Sequence, residues 1–289
     1  MFTQQAQCAE IEPACGLRLC VLASGSSGNC SVLVAEGPAG RHVWLIDAGL
    51  SLRRTRKLLQ TVGLDESDLR GILLTHLDDD HANAAAIDGF GNSVPVFVHR
   101  RHLRRAEREG RLFRRTEVLH ERLPLAAGCT VEVELAQHDT DGSAVLRFTL
   151  EREDALCELG YATDIGHPTQ ELIAHLRGVD VLAIESNYCP HMQESADRPA
   201  IVKSRVTGGR GHLSNQQCRR MTAAIAPRAH VVLLHLSRQC NTPELAAREH
   251  HGAGYELSLS SQFEPTGWIT ASVQPRAARV AVGATLFDT

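Results

Sequence analysis

The run His76-Leu77-Asp78-Asp79-Asp80-His81 offers several side chains able to bind a divalent cation. His76, Asp78, Asp80 and His81 can converge on one point from a tight loop between a strand and a helix. Imidazole and carboxylate at this spacing suit Zn²⁺, Mn²⁺ or Fe²⁺. For the aspartates alone an acidic helix start serves equally well, because capping and the helix dipole favour Asp there. The flanking histidines, and further donors downstream at His138, Asp164 and His235, tip the reading toward metal. Each of those three falls at or just after an expected strand end, where ligands gather in open α/β sheets. A lone histidine there is more often a packing or surface residue; three such positions in series are hard to ascribe to coincidence.

The elements that must position these donors alternate strand and helix. Strands are expected over 18–23 and 31–35, joined by the small turn Ser24-Gly25-Ser26-Ser27-Gly28-Asn29. A strand over 42–47 runs into Asp47-Ala48-Gly49, and Ser51 is placed to cap a helix over 53–62 that Gly63 closes. The strand 71–75 feeds the donor loop, and a helix follows it. Strands 94–99 and 116–120 flank an arginine-rich helix over 100–110. The second half repeats the style, with strands over 130–136, 144–151, 159–163, 179–185 and 229–236. Its helices are expected over 168–177, 219–226 and 243–251. This alternation defines an α/β class, and the two similar halves predict one αββα sandwich over 17–270. Residues 1–16 and 271–289 read as appendages, with no linker or tandem repeat.

Composition narrows the function. At 289 residues roughly three quarters of the unfolded surface can be buried. The balance of 30 basic against 34 acidic residues, net −4, excludes a uniformly basic nucleic-acid coat but not a local basic patch. The 43% hydrophobic and 22% charged content excludes disorder and coiled coil. No apolar run approaches the ~20 residues of a membrane span. The start MFTQQAQCAEIEPACG lacks the basic and apolar stretches of a signal peptide. The 9 cysteines are odd in number, scattered and never spaced CxxC, which suits reduced thiols and a cytoplasmic location.

The order of motifs carries a family resemblance. It comprises Asp47-Ala48-Gly49, Leu74-Thr75-His76…Asp80-His81, His138, Thr163-Asp164, Gly211-His212-Leu213-Ser214-Asn215 and His235-Leu236-Ser237. Together these resemble the metallo-β-lactamase fold over about 18–270. The runs from Ala23 to Asn29, Glu185-Ser186-Asn187 and Gly211 to Asn215 resemble its WalJ/YycJ branch, related to tRNase Z and to cyclic phosphodiesterases. The resemblance implies two divalent ions, Zn or Mn. One would be held by His76, Asp78 and His138, the other by Asp80, His81 and His235, with Asp164 bridging. Asp47 matches the family's aspartate that organises the loop from behind. The implied chemistry is hydrolysis by a hydroxide between the ions. In it Asp80, Glu185 and His212 are the catalytic residues, His212 serving as proton donor or phosphate-oxygen ligand and Glu185 orienting it. Asn187 and Ser214 would add hydrogen bonds to substrate, and Lys203 and Arg205 would bind phosphate or form a solvated pair.

One position departs from the family's HxHxDH motif. Asp78 stands where the middle histidine is expected. Its oxygen favours a harder ion such as Mn²⁺, but its shorter reach leaves occupancy of the first site open. His167 and His191 lie close enough in sequence to the motifs to compensate; the other unassigned histidines read as surface or packing residues. The leading function is a phosphodiester hydrolase acting on nucleic acid, exonuclease-like with DNA favoured. Its further support is the arginine cluster 100, 101, 104, 105, 108, 111, 114 and 115. Of these, Arg101, Arg104, Arg105 and Arg108 share a helix face that suits phosphates, or else a solvated face leaning on Glu107 and Glu109. Aromatics interleaved for base stacking are absent there. The alternatives are a phosphodiesterase for a small cyclic ribose phosphate, a thioester or lactone hydrolase, which a Glu185–His212 pair disfavours, and a metal-poor binding or regulatory protein.

Overall fold

The computed structural model describes residues 15–37, 40–110 and 112–276. The first half runs β1 (Gly16–Ala23), β2 (Cys30–Gly37), β3 (Gly40–Ile46), α1 (Leu52–Thr61), β4 (Leu69–Leu73), α2 (Ala84–Gly89), β5 (Val96–His99), α3 (Arg100–Glu109) and β6 (Thr116–Leu119). The second half runs β7 (Arg122–Ala126), β8 (Cys129–Ala136), β9 (Ser143–Arg152), β10 (Ala155–Ala162), α4 (Gln170–Leu176), β11 (Val181–Glu185), α5 (Pro190–Ser195), α6 (Ala200–Thr207), α7 (Asn215–Ile225), β12 (His230–Leu234), α8 (Pro243–Glu249) and β13 (Glu256–Leu259). Two late strands, β14 (Ile269–Ser272) and β15 (Gln274–Pro275), complete the order.

Each half makes one sheet by the same rule: an antiparallel meander, then parallel strands joined through helices. The first sheet has the order β14-β1-β2-β3-β4-β5-β6 and the second β13-β12-β11-β10-β9-β8-β7, with β15 paired to β10. Parallel neighbours need a crossover, and the helices that supply it cover the outer faces. The strands therefore bury both sides. In β1, Leu17, Leu19 and Val21 face the other sheet, while Cys20 and Leu22 join the layer against the helices. Phe148 and Tyr161 lie in the core between the sheets. Leu58, Leu59, Ile87 and Ala106 from α1, α2 and α3 pack outside the first sheet. Leu172, Leu176, Cys218, Met221 and Ala246 from α4, α7 and α8 do so outside the second. The αββα sandwich expected from the sequence is the fold observed.

Several boundaries differ. The break expected at 271 falls inside β14, whose Ala271 pairs with Leu17 of β1, and Gln274 pairs with Leu156. Residues 271–272 and 274–275 thus belong to the sheets, whereas 1–14 and 277–289 lie outside the described residues. Ser51 precedes α1 but its side chain makes no capping bond; its carbonyl instead accepts from Thr55. The strands β7, β13, β14 and β15 and the helices α5 and α6 have no counterpart among the elements expected from the sequence. No helix among the described residues is long and apolar enough to cross a membrane.

Two packing histidines give the fold a pH dependence. Burial, with the neighbouring Arg219 charge, lowers His250 to about 4, and burial with the neighbouring His102 lowers His99 to about 4. The unfolded chain binds these protons near pH 6.5, so stability is complete above that pH and falls as pH drops toward 4. The expected loss is roughly 1–3 kcal/mol per residue. Urea unfolding of wild type and His250→Gln on either side of that window checks it. Wild type loses more stability than the variant on acidification; parallel losses reject the assignment.

Candidate metal centre

The donor loop is held to the end of β3 by its own backbone. Ala48 N donates to His81 O at 2.8 Å, and Asn29 N donates to Asp80 O at 2.7 Å. Gly49 must be glycine, because a Cβ there would stand 1.8 Å from Asp80 O. Asp47 follows β3 with φ 60°, a left-handed conformation that non-glycine residues seldom adopt. Asp164 and His235, just beyond β10 and β12, share it with φ 54° each. Such strain collects at functional positions.

This backbone aims a chain of hydrogen bonds. The buried Asp47 carboxylate accepts from Thr75 N at 2.8 Å, from Thr75 Oγ1 at 2.9 Å and from His81 Nδ1 at 2.7 Å. With its proton committed to Asp47, the Thr75 hydroxyl accepts from His76 Nδ1 at 3.0 Å. His138 Nδ1 donates to Gly211 O at 2.9 Å. In all three rings the Nδ1 proton is spoken for, which directs Nε2 toward the donor cluster, where that of His81 also faces Asn29 Nδ2 at 2.9 Å.

The donors form two sets that meet at Asp164. His76, Asp78 and His138 make one, with His76 Nε2 3.9 Å from Asp78 Oδ2. Asp80, His81 and His235 make the other, with Asp80 Oδ2 3.9 Å from His81 Nε2 and 3.7 Å from His235 Nε2. Asp164 lies between, Oδ2 3.0 Å from His81 Nε2 and Oδ1 4.0 Å from His138 Nε2. His235 Nε2 is buried and lacks any hydrogen-bond partner. A buried orphan nitrogen is costly, and a cation among these oxygens and nitrogens would satisfy it. The residues therefore fit divalent metal. Asp78 reaches the first set although it is shorter than histidine. Its other oxygen lies 3.5 Å from Arg105 Nη1.

Behind the donors stands a second buried carboxylate. Glu185 Oε2 accepts from Ile165 N at 2.9 Å and Leu213 N at 3.2 Å. Its Oε1 faces His212 Nδ1 at 2.7 Å and His235 Nδ1 at 3.2 Å. Burial alone would lower His212, but Glu185 and Asp164 raise it well above the ordinary histidine value. Burial opposes the charge of His81 likewise, and Asp164 with Asp47 overcomes it. His235 is raised to about 9 by Asp164, Asp80 and Glu185 against its burial. Burial would raise Asp164, yet His235 and His81 hold it well below the carboxylate range.

A cleft of about 260 Å³ opens over the centre. His76, Asp78, Asp80, His138, Asp164, Asn187, Arg205, His212 and His235 line it, while Asp47, His81 and Glu185 stand behind its wall. Two expected binders are elsewhere engaged. Ser214 caps α7: its Oγ accepts from Gln217 N at 3.2 Å, and its N donates to Gln217 Oε1 at 2.9 Å. Lys203 donates to Glu194 O at 2.6 Å and does not line the cleft. Asn187 Nδ2 donates to His235 O at 2.8 Å, so it holds a donor in place as well as lining the wall. Neither His167 nor His191 lines the cleft, and His167 Nδ1 binds Gly209 O at 2.8 Å. The arginine face also divides. Arg105 and Arg108 line an adjoining groove and Arg101 a hollow beyond it; Arg104 lines neither, and Arg111 is outside the described residues.

Thr75 and Asn29 are positioning residues that sequence reasoning gave no role. The signal for each was its place, beside His76 and at the end of the Ser-Gly turn. Asp47→Asn offers a donor amide where three donors now converge. Its expected effect is about a 10–100-fold loss of Zn²⁺ or Mn²⁺ affinity, read by calorimetric titration. Unchanged affinity would remove Asp47 from this role.

An αββα sandwich with these donors at its strand ends is a metallo-β-lactamase-fold enzyme, a metal-dependent hydrolase. The chain belongs to the β-lactamase superfamily, whose model, described as a Beta-lactamase superfamily domain, matches residues 42–236. Exodeoxyribonuclease YycJ of Bacillus anthracis is 26% identical over 256 residues, 88% of this chain and 91% of the relative. Exodeoxyribonuclease WalJ of Streptococcus pneumoniae serotype 2 is 26% identical over 238 residues, 80% of this chain and 86% of the relative. Among solved structures, the metallo-β-lactamase fold protein YhfI from Bacillus subtilis superposes with a TM-score of 0.64 at 14% identity, covering 86% of this chain and 99% of its own.

Proposed function

We propose that the chain hydrolyses phosphodiesters of nucleic acid, in the manner of an exonuclease and with DNA as the favoured substrate. The observation that carries this is the Glu185–His212 pair at the wall of the cleft. Glu185 fixes Nδ1 of His212 at 2.7 Å and leaves Nε2 for a substrate. A ring held cationic by buried carboxylates is a proton donor, and a departing alkoxide requires one. When bound, divalent ions would supply Lewis acidity toward phosphoryl oxygens and activate water at neutral pH. The donor sets of His76, Asp78 and His138, and of Asp80, His81 and His235, joined by Asp164, would hold them.

Nucleic acid is favoured by what adjoins the cleft. A groove of about 680 Å³ shares Asp78, Asp139 and Arg205 with it and adds Arg105, Arg108 and Arg210. Four carboxylates, Asp78, Glu109, Asp139 and Asp141, stand among its four arginines; Arg105 pairs with Asp78, Glu109 and Asp141 and Arg205 with Asp139, which leaves the exposed Arg108 and Arg210 placed to meet phosphates. The names of the YycJ and WalJ relatives agree with this reading. A small cyclic diester remains the second reading, since the cleft alone would accommodate it. The test is hydrolysis by Mn²⁺- or Zn²⁺-loaded protein of single- and double-stranded DNA, RNA, a cyclic ribose phosphate and a thioester. Salt-sensitive cleavage of DNA is the expected result. Turnover of the cyclic diester alone selects the second reading, and turnover of none rejects both.

A further inference from the structure

The cleft has an apolar rim as well as an arginine-lined groove. Phe263 is 63% exposed, one of four large apolar side chains in that condition among the described residues. Two others, Ile201 and Val202, are neighbours on α6, and Val202 lines the cleft. Phe263 is tied to the cleft from two directions. The preceding residue, Gln262, accepts from Ser27 N at 3.0 Å and donates to Gly28 O at 2.9 Å, and Ser26 of that turn lines the cleft. Arg238 follows Ser237, which also lines the cleft, and sets its guanidinium 5.1 Å from the Phe263 ring centroid. On the Arg238 segment the aromatic–cation stack thus stands one residue, about 3.8 Å of chain, outside the wall, and on the Phe263 segment it is joined to the wall through Gln262 and the Ser26–Gly28 turn.

We propose that Phe263 and Arg238 form a stacking platform for an unpaired nucleobase next to the phosphodiester being cut. This rests on the nucleic-acid reading above. Every base presents a flat π face that an exposed ring accepts, and an arginine beside it complements the neighbouring phosphate. The arginine groove tracks the backbone, and the platform takes a base. A platform of this kind tolerates any sequence and favours strand ends whose bases are not already stacked in a duplex. No such aromatic is visible near the arginine cluster in the sequence, because Phe263 lies about 150 residues from it.

The test is a cycle of kinetics on metal-loaded protein. Wild type, Phe263→Ala and Phe263→Trp are assayed with a single strand bearing a normal terminal nucleotide and with one whose terminal nucleotide is abasic. Removing the ring is expected to raise KM for the normal strand about 5–100-fold, and tryptophan to restore it. Removing the base raises KM for wild type similarly, and the two losses together are no worse than either alone. Losses that multiply, or a KM for the normal strand equal in Phe263→Ala and wild type, overturn the platform. A dimer in sedimentation that Phe263→Ala dissolves without changing strand KM assigns the ring to a second copy instead, and also overturns it. Wild type that cleaves methyl p-nitrophenyl phosphate but no strand overturns the nucleic-acid reading beneath the platform. Wild type that cleaves neither overturns the phosphodiesterase reading as well.

Discussion

His212→Asn is expected to slow cleavage of a diester with an alkoxide leaving group by about 10²–10⁴-fold. The loss follows from how the ring is held. Glu185 is buried, takes two backbone N–H bonds on one oxygen and directs the other at His212 Nδ1. Its charge, with that of Asp164, keeps the ring protonated above the ordinary range. Asparagine can occupy the space but has no proton to release. A p-nitrophenolate leaving group needs little protonation, so that substrate loses far less rate. Wild type keeps its donor below the raised pKa and loses it as pH climbs through it; the variant lacks that alkaline limb. The decisive measurement is the ratio of the losses for the two leaving groups, with metal content determined alongside. An equal loss for both rejects proton donation by His212, whatever its size.

Asp164→Asn is expected to remove the junction of the two donor sets. More than about a 100-fold loss of divalent-metal affinity should follow, beyond the range seen when only a ligand's hydrogen-bond partner is lost. Diester hydrolysis should fall to background. In the metal-free chain the Asp164 carboxylate offsets charge on His81, His212 and His235. Neighbouring carboxylates raise His81 and His235 above the ordinary histidine value against their burial, so metal uptake by wild type is expected to expel protons. Calorimetry in two buffers of different ionisation enthalpy counts them. Wild type should release protons, and the variant, whose histidines lose their buried anion, should release fewer. Wild-type affinity and proton release in Asp164→Asn would exclude it as the junction.

The features legible in the sequence were those written locally. The alternation of strand and helix in two similar halves announces the sandwich, and the 76–81 run announces the donors. His138, Asp164 and His235 were found because each follows an apolar strand. Other features depended on distant chain. Ser214, expected from the resemblance to touch substrate, also begins Ser214-Asn215-Gln216-Gln217, a capping box that the structure forms. For Lys203 the sequence leaves a phosphate binder and a solvated pair equally open, and α6 turns it to Glu194 O. The arginine face proved partly committed, because Arg105 pairs with Asp78, Glu109 and Asp141. No local pattern marks β14 as the neighbour of β1, since that pairing is decided by which sheet edge remains free.

That pairing has a consequence for biosynthesis. One edge of β1 is completed only by Ile269–Ser272, about 250 residues later. At about 5–20 residues per second, a ribosome would leave that edge open for on the order of tens of seconds. During this interval β1 carries unpaired backbone groups beside Leu17, Leu19 and Val21, the kind of edge that recruits other strands. The nascent chain is therefore most prone to aggregate late in translation, when most of its first sheet is present and its last strand is not.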